Sequence, residues 1–156
     1  MELSRKWRSG DTSAYFNAAY DSATASRIDS GEYNFAPAAL AAIADTFIDL
    51  DHDQRLTGSV GVSQQWHGTT FSADAVAGSG LRRRYLNGDH LPSYVTADLA
   101  ANPRVMLGGF GRLEVQLSVL NVLDRIYEIR DGSGVGAPQW GMRRTICVGV
   151  GKPFVR

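Results

Sequence analysis

Alternation of apolar and polar residues with a period of two constrains the fold of this chain more than any other feature. The final segment, from Arg144 to Arg156, places its apolar side chains on one face of an extended chain: Ile146, Val148, Val150 and Phe154. Thr145, Cys147, Gly149 and Gly151 fall on the other face. Successive side chains of a β-strand point to opposite faces, so this pattern predicts a final strand with one apolar face.

The same period recurs along most of the chain, and five further runs carry a continuous apolar face. Their apolar sets are Ala14, Phe16, Ala18 and Tyr20; Leu56, Val60, Val62 and Trp66; Phe71, Ala73, Ala75 and Ala77; Val95, Ala97, Leu99 and Ala101; Leu113, Val115, Leu117 and Val119. The opposite faces carry polar and charged residues, among them Asp74, Asp98, Arg112, Glu114 and Gln116. Each run has roughly the 9 to 11 residues with which a tilted strand crosses a bilayer.

Short and long connections alternate between these runs. The short ones are glycine-bearing hairpin turns at Ser9 to Asp11, His67 to Thr69 and Gly108 to Phe110, and the long ones are Asp29 to Leu50, Arg83 to Pro92 and Asp124 to Gly141. We therefore predict one all-β domain over residues 1–156, an antiparallel meander of about seven strands. Such loop asymmetry is typical of a transmembrane β-barrel whose short turns face the periplasm. Trp7, Trp66, Phe71 and Phe154 would form the aromatic girdle on that side.

Composition excludes several other classes of protein. The 16 basic and 16 acidic residues balance, so no general field favours nucleic acid. The longest apolar run, Phe35 to Ala44, is far shorter than the ~20 residues of a membrane-spanning helix. Charges near Met1 are followed by no apolar stretch, so we expect no secretory signal there. Because Cys147 is the single cysteine, an internal disulfide is excluded. We expect Cys147 to pack in a strand as a small side chain.

Three segments contain residues that could form a functional site. Pro37 to Asp45 favours a helical turn or two inside the first long loop, and packing is its expected role. Asp49 to Gln54 gathers carboxylates around His52, as a metal or general-base site would, but adjacent strand residues point apart. Gly132 to Pro138 lacks the Lys-Ser/Thr and the helix of a phosphate-binding loop. We expect no enzyme, and no catalytic, cofactor-binding or metal-binding residue.

Five further segments stand in a specific order and spacing. They run from Asp51 to Ser59, Ser79 to Arg82, Leu91 to Leu99, Asn121 to Tyr127 and Arg143 to Ile146. They include a Leu-Pro-x-Tyr strand opening at Leu91, an Asn-x-Leu-Asp-x-x-Tyr strand ending at Asn121, and an Arg-Thr final strand that ends in Phe154. In this combination, the chain from Asp51 to Phe154 resembles the C-terminal part of the β-barrel of TonB-dependent outer-membrane receptors.

The resemblance implies a barrel of roughly 22 strands around a plugged lumen, of which this chain would be a C-terminal fragment. It implies energised uptake of a scarce solute, such as an iron-siderophore complex or a cobalamin, which this fragment lacking the plug would not perform alone. The implied partners are outer-membrane lipid, the remaining barrel strands and the plug, with the TonB energy-coupling system reached only through that plug. The implied location is the outer membrane of a Gram-negative bacterium, with the C-terminus periplasmic.

Ligand contacts would then come from the external loops, Ser30 to Leu50, Arg83 to Pro92 and Asp124 to Gly141, although no individual ligand-binding residue can be named. Two other classes fit part of the pattern. A small, complete outer-membrane β-barrel of about eight strands would explain the alternation and the loops. A soluble β-sandwich binding module would explain the length, with the aromatic residues as part of its core.

Overall fold

Seven long strands form one antiparallel sheet, and their order in the sheet is their order in the sequence. The computed structural model describes residues 1–28, 36–50, 53–83, 85–131 and 138–152. The strands are β1 (Glu2–Ser9), β2 (Thr12–Tyr20), β3 (Leu56–Trp66), β4 (Thr69–Gly78), β5 (Tyr94–Leu107), β6 (Gly111–Leu120) and β7 (Thr145–Gly151). This confirms the predicted meander of seven strands. Among the described residues, β1 and β7 each pair with one strand only.

The three short connections lie at the predicted hairpin turns. Gly10 and Asp11 join β1 to β2, His67 and Gly68 join β3 to β4, and a 3-10 turn at Gly108–Phe110 joins β5 to β6. His67 and Gly68 both have positive φ, 46° and 78°, which is the backbone of a type I′ turn. This turn matches the twist of the flanking strands, and glycine adopts its second position without steric cost.

The long connections lie at the opposite end of the sheet and contain short elements of their own. The first holds a helix at Pro37–Ala42, with proline in its first turn, and a strand pair of Thr24–Ala25 with Ile48–Asp49. The second holds a strand pair of Arg82–Arg83 with Asp89–His90 around a 3-10 turn at Tyr85–Asn87. The third holds a strand pair of Glu128–Arg130 with Gln139–Trp140.

The register aligns the apolar sides of the strands across the sheet, and in β1 this side carries Leu3 and Trp7 with Arg5 between them. One row of directly paired positions crosses the whole sheet: Trp7, Ala14, Val62, Ala73, Leu99, Val119 and Ile146. The adjacent row on the opposite face reads Arg8, Ser13, Ser63, Ser72, Ala100, Ser118 and Cys147. A slip of one residue at any strand would mix these rows, so the alternating sequence and the register support each other.

The buried apolar side chains lie in the long connections and not on the sheet. They are Ala39, Ile43, Ile48 and Leu91. Ala39 and Ile43 lie one helical turn apart, and Leu91 is fully enclosed beside Gly80. Among the helices in the described ranges, none is long and apolar enough to span a bilayer.

One strand is longer than the sequence predicts, and the helix has the predicted one or two turns. Strand β5 has 14 residues, several more than predicted, because its alternation continues beyond Pro103 toward the short turn. The helix in the first long connection covers six residues, Pro37–Ala42, and the chain then turns before Asp45. The last predicted strand is described as far as Gly151, and Phe154 lies outside the described residues.

Candidate functional site

The apolar face of the sheet is exposed along all seven strands. Ile146 is 75% exposed, Val148 and Val150 are 68% exposed, and Trp66 is 62% exposed. No residue of this face is buried within the described ranges. A soluble sheet buries such a face against a second layer, and a monomer rarely leaves an apolar patch of this extent open to water. This face is therefore a site that requires an apolar covering.

The polar face is less exposed and holds side-chain hydrogen bonds between neighbouring strands. The hydroxyls of Ser13 and Ser63 lie 2.7 Å apart, and the Tyr15 hydroxyl donates to Oδ1 of Asp74 over 2.8 Å. A Cβ atom at Gly61 would collide with both Tyr15 and Asp74, so the missing side chain makes room for this bond. The face thus combines small and polar residues, as a surface toward water or a polar partner does.

Four charged residues join the first and second long connections. Arg82 donates from Nη2 to Oδ2 of Asp49 over 2.8 Å, and from Nε to Oδ2 of Asp53 over 3.2 Å. Arg55 contacts the same two carboxylates, at 3.0 Å to Asp49 and 3.5 Å to Asp53. The Asn87 side chain adds a bond to the backbone carbonyl of Asp49 over 2.9 Å. Two acidic and two basic side chains therefore neutralise each other at this rim.

Asp53 is the buried member of this cluster, and its carboxylate is fully shielded from solvent. Burial by itself raises the pKa of Asp53, but hydrogen bonds from the Ala23 backbone N–H, Arg82 and Arg55 outweigh burial and hold the pKa below its ordinary value. Asp53 is therefore ionised at neutral pH. Its oxygen atoms are occupied by these donors, so the carboxylate serves to hold loops together.

Asn121 organises the start of the third long connection. It is 4% exposed, and its side-chain amide donates to the backbone carbonyls of Arg125 and Met142, both over 2.8 Å. Its side-chain oxygen accepts from the Arg125 N–H over 2.9 Å, and its own backbone N–H donates to Asp98 over 2.7 Å. Asn121 has φ of 48°, in the left-handed region that asparagine tolerates better than most residues.

Two further contacts hold this connection against the sheet. Arg143 donates from two nitrogens to Asp124, over 2.8 and 2.6 Å, and the Arg144 backbone N–H donates to the same carboxylate over 3.0 Å. These bonds hold the pKa of Asp124 well below its ordinary value. Tyr127 stacks on Tyr94 of β5, with ring centroids 4.5 Å apart.

The five segments on which the family resemblance rests are linked by contacts in the structure. Asp53 of the first contacts Arg82 of the second, and Gly80 of the second lies against the Leu91 backbone of the third. Asp98 of the third accepts from Asn121 of the fourth, whose Asp124 binds Arg143 of the fifth. These residues therefore build a continuous belt of contacts along the long-connection end of the sheet, which we call the loop belt.

The remaining expected positions fall into two groups. Trp7, Trp66 and Phe71 lie at the short-turn ends of their strands and on the apolar face, as predicted. Asp51 and His52 of the acidic segment, and residues 132–137 of the glycine-rich segment, lie outside the described residues. In the part of the chain that is described, no group of three or more His, Cys, Asp or Glu side chains is placed to hold a metal ion.

Sequence reasoning named the three long connections and no single residue within them. It missed the structural role of Asn87, which is 6% exposed and has φ of 57°. It also missed Leu123 and Arg125, which stand exposed beside the apolar face. The signal for Asn87 and Asn121 is the residue type itself, since a buried asparagine in a loop usually satisfies backbone groups.

Comparison with known proteins assigns no family: no family model and no curated protein matches this chain.

Proposed function

We propose that this chain is a C-terminal segment of the β-barrel of an outer-membrane receptor of the TonB-dependent kind, which takes up a scarce solute such as an iron-siderophore complex or a cobalamin. The exposed apolar face of the seven-stranded sheet carries this proposal. In a membrane, lipid would cover this face, and the polar face would line the interior.

The placement of charge and of aromatic residues supports a membrane orientation. The central rows of the apolar face carry valine, leucine, phenylalanine and alanine, and the charged Asp74, Asp98, Arg112 and Glu114 share the polar face. Trp7, Trp66 and Phe71 lie on the apolar face near the short turns, where an interfacial girdle would stand. The short turns would then face the periplasm and the loop belt the outside.

The loop belt supports a receptor rather than a plain membrane anchor. Its ion pairs and buried asparagines link the described parts of the three long connections at this end of the sheet. Such a rim can present the external loops to a solute, and uptake would need the plug and the other barrel strands. This segment by itself would therefore bind lipid without transporting a solute.

The test is quenching of tryptophan fluorescence by brominated phosphatidylcholine. In a chain whose Trp7, Trp66 and Trp140 are replaced by phenylalanine, a single tryptophan is placed by Leu117→Trp or by Gln116→Trp. These neighbours in β6 are both exposed, but the first lies on the apolar face and the second on the polar face. We expect strong quenching at position 117 and weak quenching at position 116 in vesicles.

Sedimentation of the unmodified chain without detergent gives the independent measurement. The described residues leave the outer edges of β1 and β7 unpaired and the apolar face open, and these features should produce aggregates in plain buffer. A sharp monomer that unfolds cooperatively in plain buffer, with no quenching at position 117, would overturn the proposal in favour of a soluble β-sandwich. Equal quenching at both positions would remove the assignment of the two faces.

A further inference from the structure

A pit opens on the apolar face where β3, β4 and β5 approach the loop belt. Its volume is about 700 Å³, and its lining includes Gly58, Ala77, Leu56 and Val95. The register places Gly58 beside Ala77 and Ala77 beside Val95. Two small residues, Gly58 and Ala77, thus lie beside larger ones, which leaves a shallow apolar depression on this face.

Arg125 stands at the edge of this pit together with Leu123. It is exposed, and its guanidinium has no acidic partner within the described ranges, whereas the nearby Arg143 and Arg144 both contact Asp124. The backbone of Arg125 is fixed at two points, because the Asn121 side chain bonds both the N–H and the carbonyl of Arg125. The backbone of a basic residue is therefore fixed beside an apolar depression, and its exposed guanidinium is available to a ligand.

We infer that this pit binds a phosphate-bearing lipid of the membrane leaflet at the loop-belt end. One acyl chain lies over Gly58 and Ala77, and the phosphate contacts the guanidinium of Arg125. A guanidinium binds phosphate through two parallel N–H bonds, and arginine at a membrane surface keeps its charge at headgroup level. The exposed hydroxyl of Ser93, which also lines the pit, supplies a further donor.

This inference rests on the proposed membrane location of the apolar face. It adds that the pit binds an anionic lipid in preference to a neutral one. A neutral lipid would satisfy the apolar lining of the pit but would leave the guanidinium without a counter-charge. The preference should therefore be local: it should occur at the pit and be absent from the centre of the same face.

The experiment compares brominated phosphatidylglycerol with brominated phosphatidylcholine as quenchers of one tryptophan. The reporter is Val95→Trp at the pit, or Leu117→Trp at the centre of the face, in the chain without native tryptophans. We expect brominated phosphatidylglycerol to bind about fivefold more strongly than brominated phosphatidylcholine beside Val95→Trp, and about equally beside Leu117→Trp. Arg125→Gln should abolish the preference at the pit, and Arg112→Gln on the polar face should retain it.

The outcomes separate the two proposals. Loss of all quenching at both reporters would contradict the membrane location itself. Quenching at both reporters with no preference at the pit, or a preference unchanged by Arg125→Gln, would overturn the lipid site alone. An equal preference beside Leu117→Trp, or a fall in the preference beside Val95→Trp with Arg112→Gln, would indicate a general effect of net charge and would equally overturn it. Folding of each variant is checked by its circular dichroism in the same vesicles.

Discussion

Arg82 donates from Nε to Oδ2 of Asp53 over 3.2 Å, although the two residues belong to different long connections. Asp53 precedes β3, and Arg82 follows β4, so this bond ties together the ends of two paired strands above the sheet. The same guanidinium reaches Asp49 through Nη2. Arg82 therefore holds the first and second connections to each other by two carboxylates at once.

Replacement of Arg82 by glutamine should destabilise the loop belt. Asp53 would keep its bonds from Ala23 and Arg55 but would lose a charged donor in a buried place. Hydrogen bonds to charged groups typically contribute about 1.5 to 3 kcal/mol, so we expect the free energy of unfolding to fall by about 2 kcal/mol. The measurement is a urea titration of the chain in mild detergent.

The neighbouring Arg83 provides the matched control for this prediction. It contacts Asp89 at 3.4 Å, and both side chains are more exposed than the pair of Arg82 and Asp53. Partly exposed ion pairs contribute little, and Nε of Arg83 is buried with no hydrogen-bond partner among the described residues, so Arg83→Gln should cost about 0.5 kcal/mol or less. If the two variants lost equal stability, the buried pair would have no special role.

Acid should weaken the loop belt through Asp53. Its pKa in the folded chain lies below the ordinary value of 3.8, so the unfolded chain takes up the proton first as the pH falls. The stabilisation from Asp53 is therefore complete above the ordinary pKa and is lost as the pH falls through 3.8 toward the lower folded pKa. Unfolding titrations between neutral pH and pH 3 should show a shallower loss of stability for Asp53→Asn, since that variant has no carboxylate to protonate.

The strands and turns of the sheet follow from local sequence. In β6, Leu113 to Val119 alternates without error, and each residue of the apolar set lies on the apolar face. The turn at His67 and Gly68 is equally local, because glycine adopts the positive φ of the second turn position without steric cost. Such features depend on neighbours within a few residues, and the sequence displays those neighbours directly.

The loop belt could not be derived in the same way. Arg82 meets Asp53 across 29 residues, and Asn121 meets Met142 across 21 residues. No local period links these partners, since their contact depends on where the strands return to the same end of the sheet. The pit beside Arg125 likewise requires the register of three strands and a loop that folds back over them.

Asn121 offers a sharp test of this long-range packing. Asn121→Asp keeps the size and the left-handed backbone preference but replaces two donors with acceptors that face the carbonyls of Arg125 and Met142. An unsatisfied buried carbonyl costs about 1 to 3 kcal/mol, and repulsion from the new carboxylate adds to this cost. We expect a loss of about 3 kcal/mol in the free energy of unfolding, measured in detergent.

The exposed Asn102 of β5 serves as the control, because Asn102→Asp makes the same chemical change on the polar face. Its cost should be about 0.5 kcal/mol or less, as for other exposed polar substitutions. Comparable losses for Asn102→Asp and Asn121→Asp would show that the hydrogen bonds of Asn121 do not govern stability.

A pair of adjacent substitutions in β6 tests the two faces of the sheet under membrane conditions. Val115 pairs with Val150 on the apolar face at the middle of the strand, and Gln116 pairs with Gly149 on the polar face. An arginine on the lipid side near the bilayer midplane costs about 2 to 4 kcal/mol, whereas a polar interior accepts it. Val115→Arg should therefore reduce the yield of folded, vesicle-inserted chain far more than Gln116→Arg, as measured by protease protection after refolding with lipid. The two variants add the same charge one residue apart, so equal yields would mean that the apolar face does not contact lipid.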